Sequence, residues 1–397
     1  MHGTRTKLSR ARQKIVIVGG GVIGSAIAYF LASHARFRGD ITVVERDPTY
    51  AQASSALSAS SIRQQFSQPV NIAMSQFGIG FLRNIRQHLA VDGDVPDIAL
   101  TEKGYLYLAT EAGAATLREN HATQRAHGVQ VALLEPAALQ QRFPWLRVDD
   151  LALASLGLEG EGWFDGYGLL MAFKNKARSL GVQYLQAQAT GFAHSQGRVN
   201  AVALEGGSTL PCDWAVNAAG AWARPLLAGT GLDLPVYGRT RCVYGFSSPA
   251  QTPECPLVID PSGLWFRPEG NMWICGLPPA QDDNDAPLEV DHALFDEAWL
   301  TLANRVPGFE ALRQQRAWAG YYEYNTHDHN ALLGPHPALA NLLLANGFSG
   351  HGLQQSPAVG RGLAEWICEG AYTSLDLSPL SVQRLVEGRT LLEKNVI

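Results

Sequence analysis

Charge is scarce in this chain: Asp, Glu, Lys and Arg make up 17% of its 397 residues, with a formal net charge of −5. Without a basic excess there is no electrostatic footprint for nucleic acid. Cysteine is also scarce. The five cysteines, at 212, 242, 255, 275 and 368, include no C-x-x-C pair. That scatter supports neither a zinc site nor a disulfide framework and fits a reducing, cytoplasmic setting. The first thirteen residues lack the apolar core of a secretory signal and read as a disordered leader. Long apolar runs are missing, with one exception. Ile15–Ala32 carries no charge and is long enough to suggest a membrane span. Its glycines at 19, 20, 21 and 24 sit at turn positions, and a helix with an apolar stripe follows, so a buried strand–helix unit is expected instead. The sequence shows no internal repeat and no low-complexity linker. What remains is an ordinary globular composition, 46% hydrophobic, and a length suited to about two or three domains.

The strongest local signal lies at the amino-terminal end. Lys14–Val18 is a β-branched, apolar run of the kind that forms a buried parallel strand. Gly19, Gly21 and Gly24 then fit G-x-G-x-x-G. The first glycine permits a tight turn, the second lets the backbone approach a pyrophosphate, and the third lets the helix pack closely on the strand. A helix over Val22–Ser33 places Ile23, Ile27, Phe30 and Leu31 on one face. A second strand, Ile41–Val44, ends at Glu45, where a carboxylate can accept from ribose hydroxyls. The same carboxylate would repel a 2′-phosphate, which argues against NADP. Strand, glycines, helix, strand and terminal acid together favour a nucleotide-binding turn over an ordinary glycine-rich loop.

Farther along, helices are expected over Val70–His88, over Tyr167–Leu180 with Asp165 as its cap, and over Asp291–Val306. Strands are expected at Thr101–Thr110, Gln183–Ala189, Gly191–Ala193, Val199–Leu204, Trp214–Asn217, Pro235–Phe246, Leu264–Gly276 and Leu342–Ala345. The last of these enters Asn346-Gly347-Phe348-Ser349-Gly350-His351-Gly352, and a helix begins near Leu353. This gives a second helix amino-terminus, whose free N–H groups favour partial negative charge. A reduced flavin carries such charge on its pyrimidine edge, so two such loops suggest FAD more than NAD.

These segments resemble the FAD-dependent D-amino acid oxidase and sarcosine oxidase superfamily, the DAO or glycine oxidase family. The resemblance is carried by Val16–Ala32, Glu45-Arg46, SSALSASSIRQQF at 54–66, GYLYL at 104–108, VNAAGAW at 216–222, GLWFRPEG at 263–270, WAGYYEYNTHDHNALLG at 318–334 and GFSGHGLQQSPAVGRGLAEWI at 347–367. Two of them, around SSIRQQF and WAGYYEYNTHDHN, are similar to a subgroup that includes a flavoprotein of respiratory complex I assembly. The resemblance implies an α/β fold: a Rossmann-like FAD-binding domain (1–92, 153–230 and 322–397) and an antiparallel-sheet substrate domain (93–152 and 231–321). It implies that Gly19, Gly21, Val22, Ile23 and Gly24 hold the pyrophosphate, and that Glu45 and Arg46 hold the adenosine end. Ser54, Ser55 and Ser61 run beneath the phosphates toward the flavin ring, and Ala189 contacts adenine. Ala219, Gly220 and Trp222 pass the pyrophosphate. Gly347, Gly350, His351, Gly352, Leu353 and Gln354 form the loop over the flavin pyrimidine edge. Arg63 corresponds to an arginine that binds substrate carboxylate.

The chain also departs from sarcosine oxidases. Tyr321-Tyr322-Glu323-Tyr324 stands where many of them attach flavin through cysteine, so noncovalent FAD is expected. Ile274 stands where they use a lysine to promote reaction with oxygen, so the acceptor is either oxygen or an electron-transfer partner, and a dehydrogenase stands beside an oxidase as an expectation. Gln354 replaces a substrate-contacting lysine, leaving the carboxylate to Arg63 with Arg267 or Arg241. The implied reaction moves a hydride from the carbon beside an amine nitrogen of an amino acid or N-alkyl amino acid to flavin N5, and water hydrolyses the imine. His351 and Glu323 are candidate bases, and Tyr321, Tyr322 and Tyr324 candidate pocket walls or ordinary packing. His327-Asp328-His329 reads as a solvated turn, so no metal site is expected. For Trp163 and Trp265 core packing is the expectation. Three alternatives stand beside this reading: a flavin-dependent 2-hydroxy acid dehydrogenase, a weakly catalytic assembly or interaction flavoprotein, and an NAD-dependent dehydrogenase.

Overall fold

The computed structural model describes residues 12–394. The proposed leader falls outside the described residues over 1–11. Gln13, assigned to that leader, already belongs to the first strand, Gln13–Val18.

Apolar β-branched runs build a six-stranded sheet in the order Leu332–His336, Leu339–Asn346, Trp214–Asn217, Gln13–Val18, Gly39–Glu45, Gln183–Gln186. Its neighbours run parallel except for the Leu332–His336 edge. Helix Val22–Ser33 leaves the first strand at the glycines and is buried on nearly all sides, from Val22 to Leu31. It packs against the carboxy-terminal helix Gly352–Glu369 and against helix Gly166–Ser179. Tyr29, Phe30, Phe81 and Phe173 form an aromatic knot in this layer, with Phe81 and Phe173 stacked 5.4 Å apart. Asp165 caps Gly166–Ser179, its carboxylate accepting from the Gly168 N–H at 2.9 Å.

A second sheet has eight strands, in the order Arg313–Asn325, Val236–Ser247, Met272–Gly276, Trp265–Glu269, Leu257–Ile259, Tyr105–Ala109, Leu153–Gly157, Val131–Leu134. It is antiparallel apart from the pairing of Leu257–Ile259 with Tyr105–Ala109. Leu153–Gly157 therefore belongs with this sheet, although the expected boundary put 153–230 in the cofactor domain. The strand Arg313–Asn325 likewise runs across the boundary expected at 321/322.

Several expected elements are shorter or divided. The helix expected over Val70–His88 is two, Pro69–Arg83 and Ile85–Leu89, broken at Asn84. The strand expected over Thr101–Thr110 is confined to Tyr105–Ala109, because Gly104 adopts a left-handed backbone (φ 85°). The strand expected over Gln183–Ala189 ends at Gln186, and Ala189 opens a separate three-stranded sheet. The turn His327-Asp328-His329 is not solvated at its centre. Asp328 is fully buried, and its carboxylate accepts from Arg384 Nε at 2.7 Å and Nη2 at 3.0 Å.

Candidate active site

The glycines following the first strand have separate physical roles. A Cβ on Gly24 would overlap the carbonyl oxygen of Gly19, and one on Gly19 (φ 99°) would overlap that of Ala218. Both are demanded by packing. Gly21 has an ordinary helical-cap φ of −61°, and the nearest atom to its added Cβ is Ser55 Oγ at 3.4 Å. Its missing side chain leaves open space on the cleft side.

That cleft is long. One cavity of about 920 Å³ is walled by Gly19, Gly21, Val22, Ile23, Glu45, Arg46, Ser54, Ser55, Ala189, Ala219, Gly220 and Trp222. A second of about 850 Å³ shares Val22, Ile23, Ser54, Ser55 and Glu323 with it and adds Tyr321, Tyr322, Gly350, Gly352 and Leu353. A third, of about 570 Å³, shares Trp265, Tyr322 and Gly350 with the second and contains Ser61, Arg63, Tyr105, His351 and Gln354. The cleft thus passes from the carboxyl ends of the parallel strands to the face of the larger sheet. Of the expected cofactor residues, Gly24 and Gly347 do not line these cavities: Gly24 packs beneath the first turn, and the Gly347 N–H is turned to Glu323 Oε2 at 3.2 Å.

Local contacts fix the walls. Glu45 accepts from the Gly20 N–H (2.8 Å) and the Asp47 N–H (2.9 Å), so it braces the glycine turn as well as facing the cleft. Ser55 Oγ accepts from the Val22 N–H at 3.1 Å. The Arg46 guanidinium lies 3.8 Å from the Trp222 ring centre and closes one side of the first cavity. Tyr50, also on that wall, keeps its buried hydroxyl without a hydrogen-bond partner among the described residues. An elongated cleft, a pocket left open at Gly21, an acid at the second strand end and an orphaned buried hydroxyl fit a bound dinucleotide.

Beyond the shared wall lie the titratable groups. Glu323 is half-buried between the first two cavities, and this desolvation pushes its carboxyl up to about 8 despite the Gly347 and Phe348 N–H groups. Arg63 is buried, its Nη1 donating to Tyr107 Oη (2.6 Å) and the Gln65 carbonyl (3.0 Å). Its Nη2 lies 2.8 Å from His351 Nε2. A guanidinium only donates, so His351 Nε2 is the acceptor and the ring proton sits on Nδ1. Burial, and then the Arg63 charge, hold the His351 pKa well below the ordinary value. His351 is therefore a neutral partner of Arg63, with the lone pair that a base would use already engaged. Gln354 Oε1 accepts from the Arg63 N–H at 2.9 Å, so it fixes the Arg63 backbone. Arg267 is absent from the cavity walls. It is buried against Glu269 and the Ala59 carbonyl, which removes it from the carboxylate-binding set.

The sequence reading missed other participants. Tyr105 and Tyr107 stack 6.2 Å apart, and Tyr105 hydrogen-bonds to Ser61. Their spacing of two within an apolar strand was the available signal. Glu161 is buried behind Arg63 and accepts from the N–H groups of Gln64 (2.7 Å) and Gln65 (3.1 Å); burial raises its carboxyl to about 7. Nothing local in Leu158–Gly162 announces this. Trp265, expected as core, lines the second and third cavities.

A dinucleotide cleft ending at a chamber with a buried arginine and aromatic walls defines a flavin-dependent oxidoreductase, and the chain belongs to the DAO family of FAD-dependent oxidoreductases, which it matches over residues 14–366. It is 45% identical to "FAD-dependent oxidoreductase domain-containing protein 1" of Xenopus laevis, over 97% of this chain and 85% of that protein. It is 28% identical to glycine oxidase of Geobacillus kaustophilus, over 94% and 97% of the two chains. Among solved structures, the fold is shared with an L-proline dehydrogenase from P. horikoshii, at a TM-score of 0.85 and 24% identity over 96% and 99% of the chains. The cofactor is FAD, and the enzyme is an oxidoreductase. Among the described residues no helix is long and apolar enough to cross a membrane.

Proposed function

We propose that the enzyme oxidises the C–N bond of an amino acid or N-alkyl amino acid to an imine and passes the electrons to an acceptor other than oxygen. The observation that carries this is the chamber at the end of the cofactor cleft, where Arg63, Tyr105, Trp265 and Tyr322 surround a space next to the Gly350–Leu353 loop. Bound FAD supplies a hydride acceptor; the chain supplies position and field. Arg63 places positive charge where a substrate carboxylate orients the neighbouring amine. Glu323, whose carboxyl is raised to about 8 by desolvation, accepts from the Gly347 N–H and stands at the shared wall as a polar group that holds the cofactor loop. A neutral amine needs no strong base, which fits a site whose histidine lone pair is already engaged. Ile274, buried on the larger sheet, supports the choice of acceptor, since the resembling oxidases carry a lysine there. Noncovalent attachment is supported by Cys242, which lines the second cavity but whose sulfur accepts from the Asp291 N–H at 3.3 Å.

Anaerobic mixing with panels of amino acids, N-alkyl amino acids and 2-hydroxy acids tests the reading. Bleaching of the yellow flavin by amines, with fast reduction of a dye and slow oxygen uptake, is the expected result. Bleaching by hydroxy acids alone overturns it.

A further inference from the structure

We infer that Arg241 is a second carboxylate-binding group, in the cavity that adjoins the reaction chamber, shielded by Asp282 on a roofing loop and handed over to an anionic ligand when that loop moves. The inference rests on the oxidoreductase reading of the adjoining cavity, which shares Trp265 and Tyr322 with this one, and adds the residue that selects for charge.

Arg241 lies on Val236–Ser247 and lines the second cavity. Its Nη1 and Nη2 donate to the Asp282 carboxylate at 2.6 and 2.9 Å, and Nη1 also donates to the Thr240 carbonyl at 3.0 Å. Its Nε is buried and has no hydrogen-bond partner among the described residues. A guanidinium holding a carboxylate by both Nη atoms displays the geometry that a substrate carboxylate would use.

Asp282 does not belong to Arg241 alone. It also accepts from Arg239 Nη1 at 2.8 Å, so two guanidinium groups share one carboxylate. If Asp282 leaves Arg241 it keeps Arg239, which limits the cost of the exchange. Arg239 is further held by Asn284 Oδ1 (2.9 Å) and lies 4.0 Å from the Tyr324 ring centre. Of the carboxylates near this strand, Asp285 accepts from the Gly238 N–H at 3.0 Å, and Glu323, which lines the same cavity as Arg241, accepts from the Gly347 N–H at 3.2 Å. The local balance around Arg241 is therefore open to one more anion.

The loop carrying Asp282 is built to detach. Residues 277–290 contain no buried side chain. Their polar links to the sheet are Asp285 to Gly238, the Tyr321 hydroxyl to the Ala286 carbonyl (2.7 Å) and the Thr240 hydroxyl to the Pro287 carbonyl (2.9 Å), and Leu277, Leu288 and Val290, each only partly buried, rest on the apolar core of the sheet. Leu277 and Pro278 complete the cavity wall beneath. A segment whose apolar side chains are all only partly buried opens at lower free energy than the sheet beneath it. Tyr322 lines both the second cavity, with Arg241, and the third, with Arg63, so the two cations stand in adjoining cavities that share this ring.

The test uses the full chain loaded with FAD, titrated with benzoate and with its neutral analogue benzamide, following the shift of the flavin absorption bands. R241Q is expected to weaken benzoate by ~10-fold or more while leaving benzamide unchanged, and R241K to recover part of the loss. D282N is expected to act in the opposite direction and tighten benzoate. The inference is overturned if wild-type protein shows no benzoate shift, if R241Q binds benzoate as tightly as wild type, or if D282N weakens it. Should R241Q fail to take up FAD, the sign of the D282N effect decides. A yellow protein that amines still bleach but whose benzoate affinity ignores Arg241 would refute this inference and leave the proposed reaction standing.

Discussion

Gly21 and Gly24 stand three positions apart in one motif, yet they make opposite predictions. An alanine at 24 collides with the Gly19 carbonyl, so G24A should cost about 1–3 kcal/mol of stability, read as a lowered denaturation midpoint. An alanine at 21 meets nothing closer than Ser55 Oγ at 3.4 Å, so G21A should melt like the parent and yet purify without yellow colour. If G21A retained FAD at parental affinity, the pyrophosphate would not approach that backbone. Glu323 makes a pH prediction at the same scale. Its carboxyl moves from 4.5 to about 8 on folding, so between those values the folded chain binds a proton that the unfolded chain has released. Stability contributed by that proton is full below 4.5 and is lost as pH rises toward 8. Glu161, raised to about 7, has the same sign over a lower window and remains in the variant. Thermal melts of the flavin-free protein should therefore flatten in E323Q, most clearly between the two raised values. An unchanged slope would place Glu323 in water. At this scale the sequence was most legible where the residues of one compact motif act on each other, as in the glycine turn and Glu45. It was least legible for Glu161, Asp282 and Trp265, whose roles depend on partners distant in the chain.

Elements with a strong period and a definite end were read almost as they stand. Helix Val22–Ser33 and strand Trp214–Asn217 have the expected bounds. Helix Gly166–Ser179 differs from expectation by one residue at each end, because Asp165 satisfies an N–H of its first turn. D165A should cost about 1 kcal/mol through that lost cap. The cap lies outside the cofactor cleft, so calorimetry should show the fall in melting temperature while flavin titration shows affinity near that of the parent. A large loss of affinity would mean that the helix start is part of the site. Helix Glu111–Ala126 escaped notice for a physical reason. Its buried stripe is Ala114, Leu117, Asn120 and Gln124, which holds one large apolar side chain. Such a helix owes its stability to the sheet it covers, and periodicity has nothing to register. The same limit hid Val131–Leu134 and Leu153–Gly157, short strands whose pairing with each other defines them.

The whole molecule closes its site with residues drawn from both ends of the chain, and the closure is tied at Asp328. That carboxylate accepts from Arg384, from the Leu391 N–H at 2.9 Å and from Asn325 Nδ2 at 2.9 Å. Asn325 in turn donates its own N–H to Ser349 Oγ at 3.0 Å, inside the loop that faces the second cavity. The carboxy-terminal segment thereby holds the cofactor loop through one buried ion pair. This arrangement explains why His327-Asp328-His329 was misread: its partner lies 56 positions away. D328N preserves an oxygen acceptor but leaves the Arg384 charge buried and uncompensated, which should cost about 3–5 kcal/mol. Adding R384M should return part of that loss, since the stranded charge is removed while the carbonyls of Asn330 and Ala331 lose a donor. If the pair also positions the loop, D328N should release FAD faster than D165A even at temperatures where both remain folded. Equal release rates from the two variants would make the pair a stabilising bond with no reach into the site. Faster release from D328N alone would show that the last residues of the chain help to shape the pocket opened by the first.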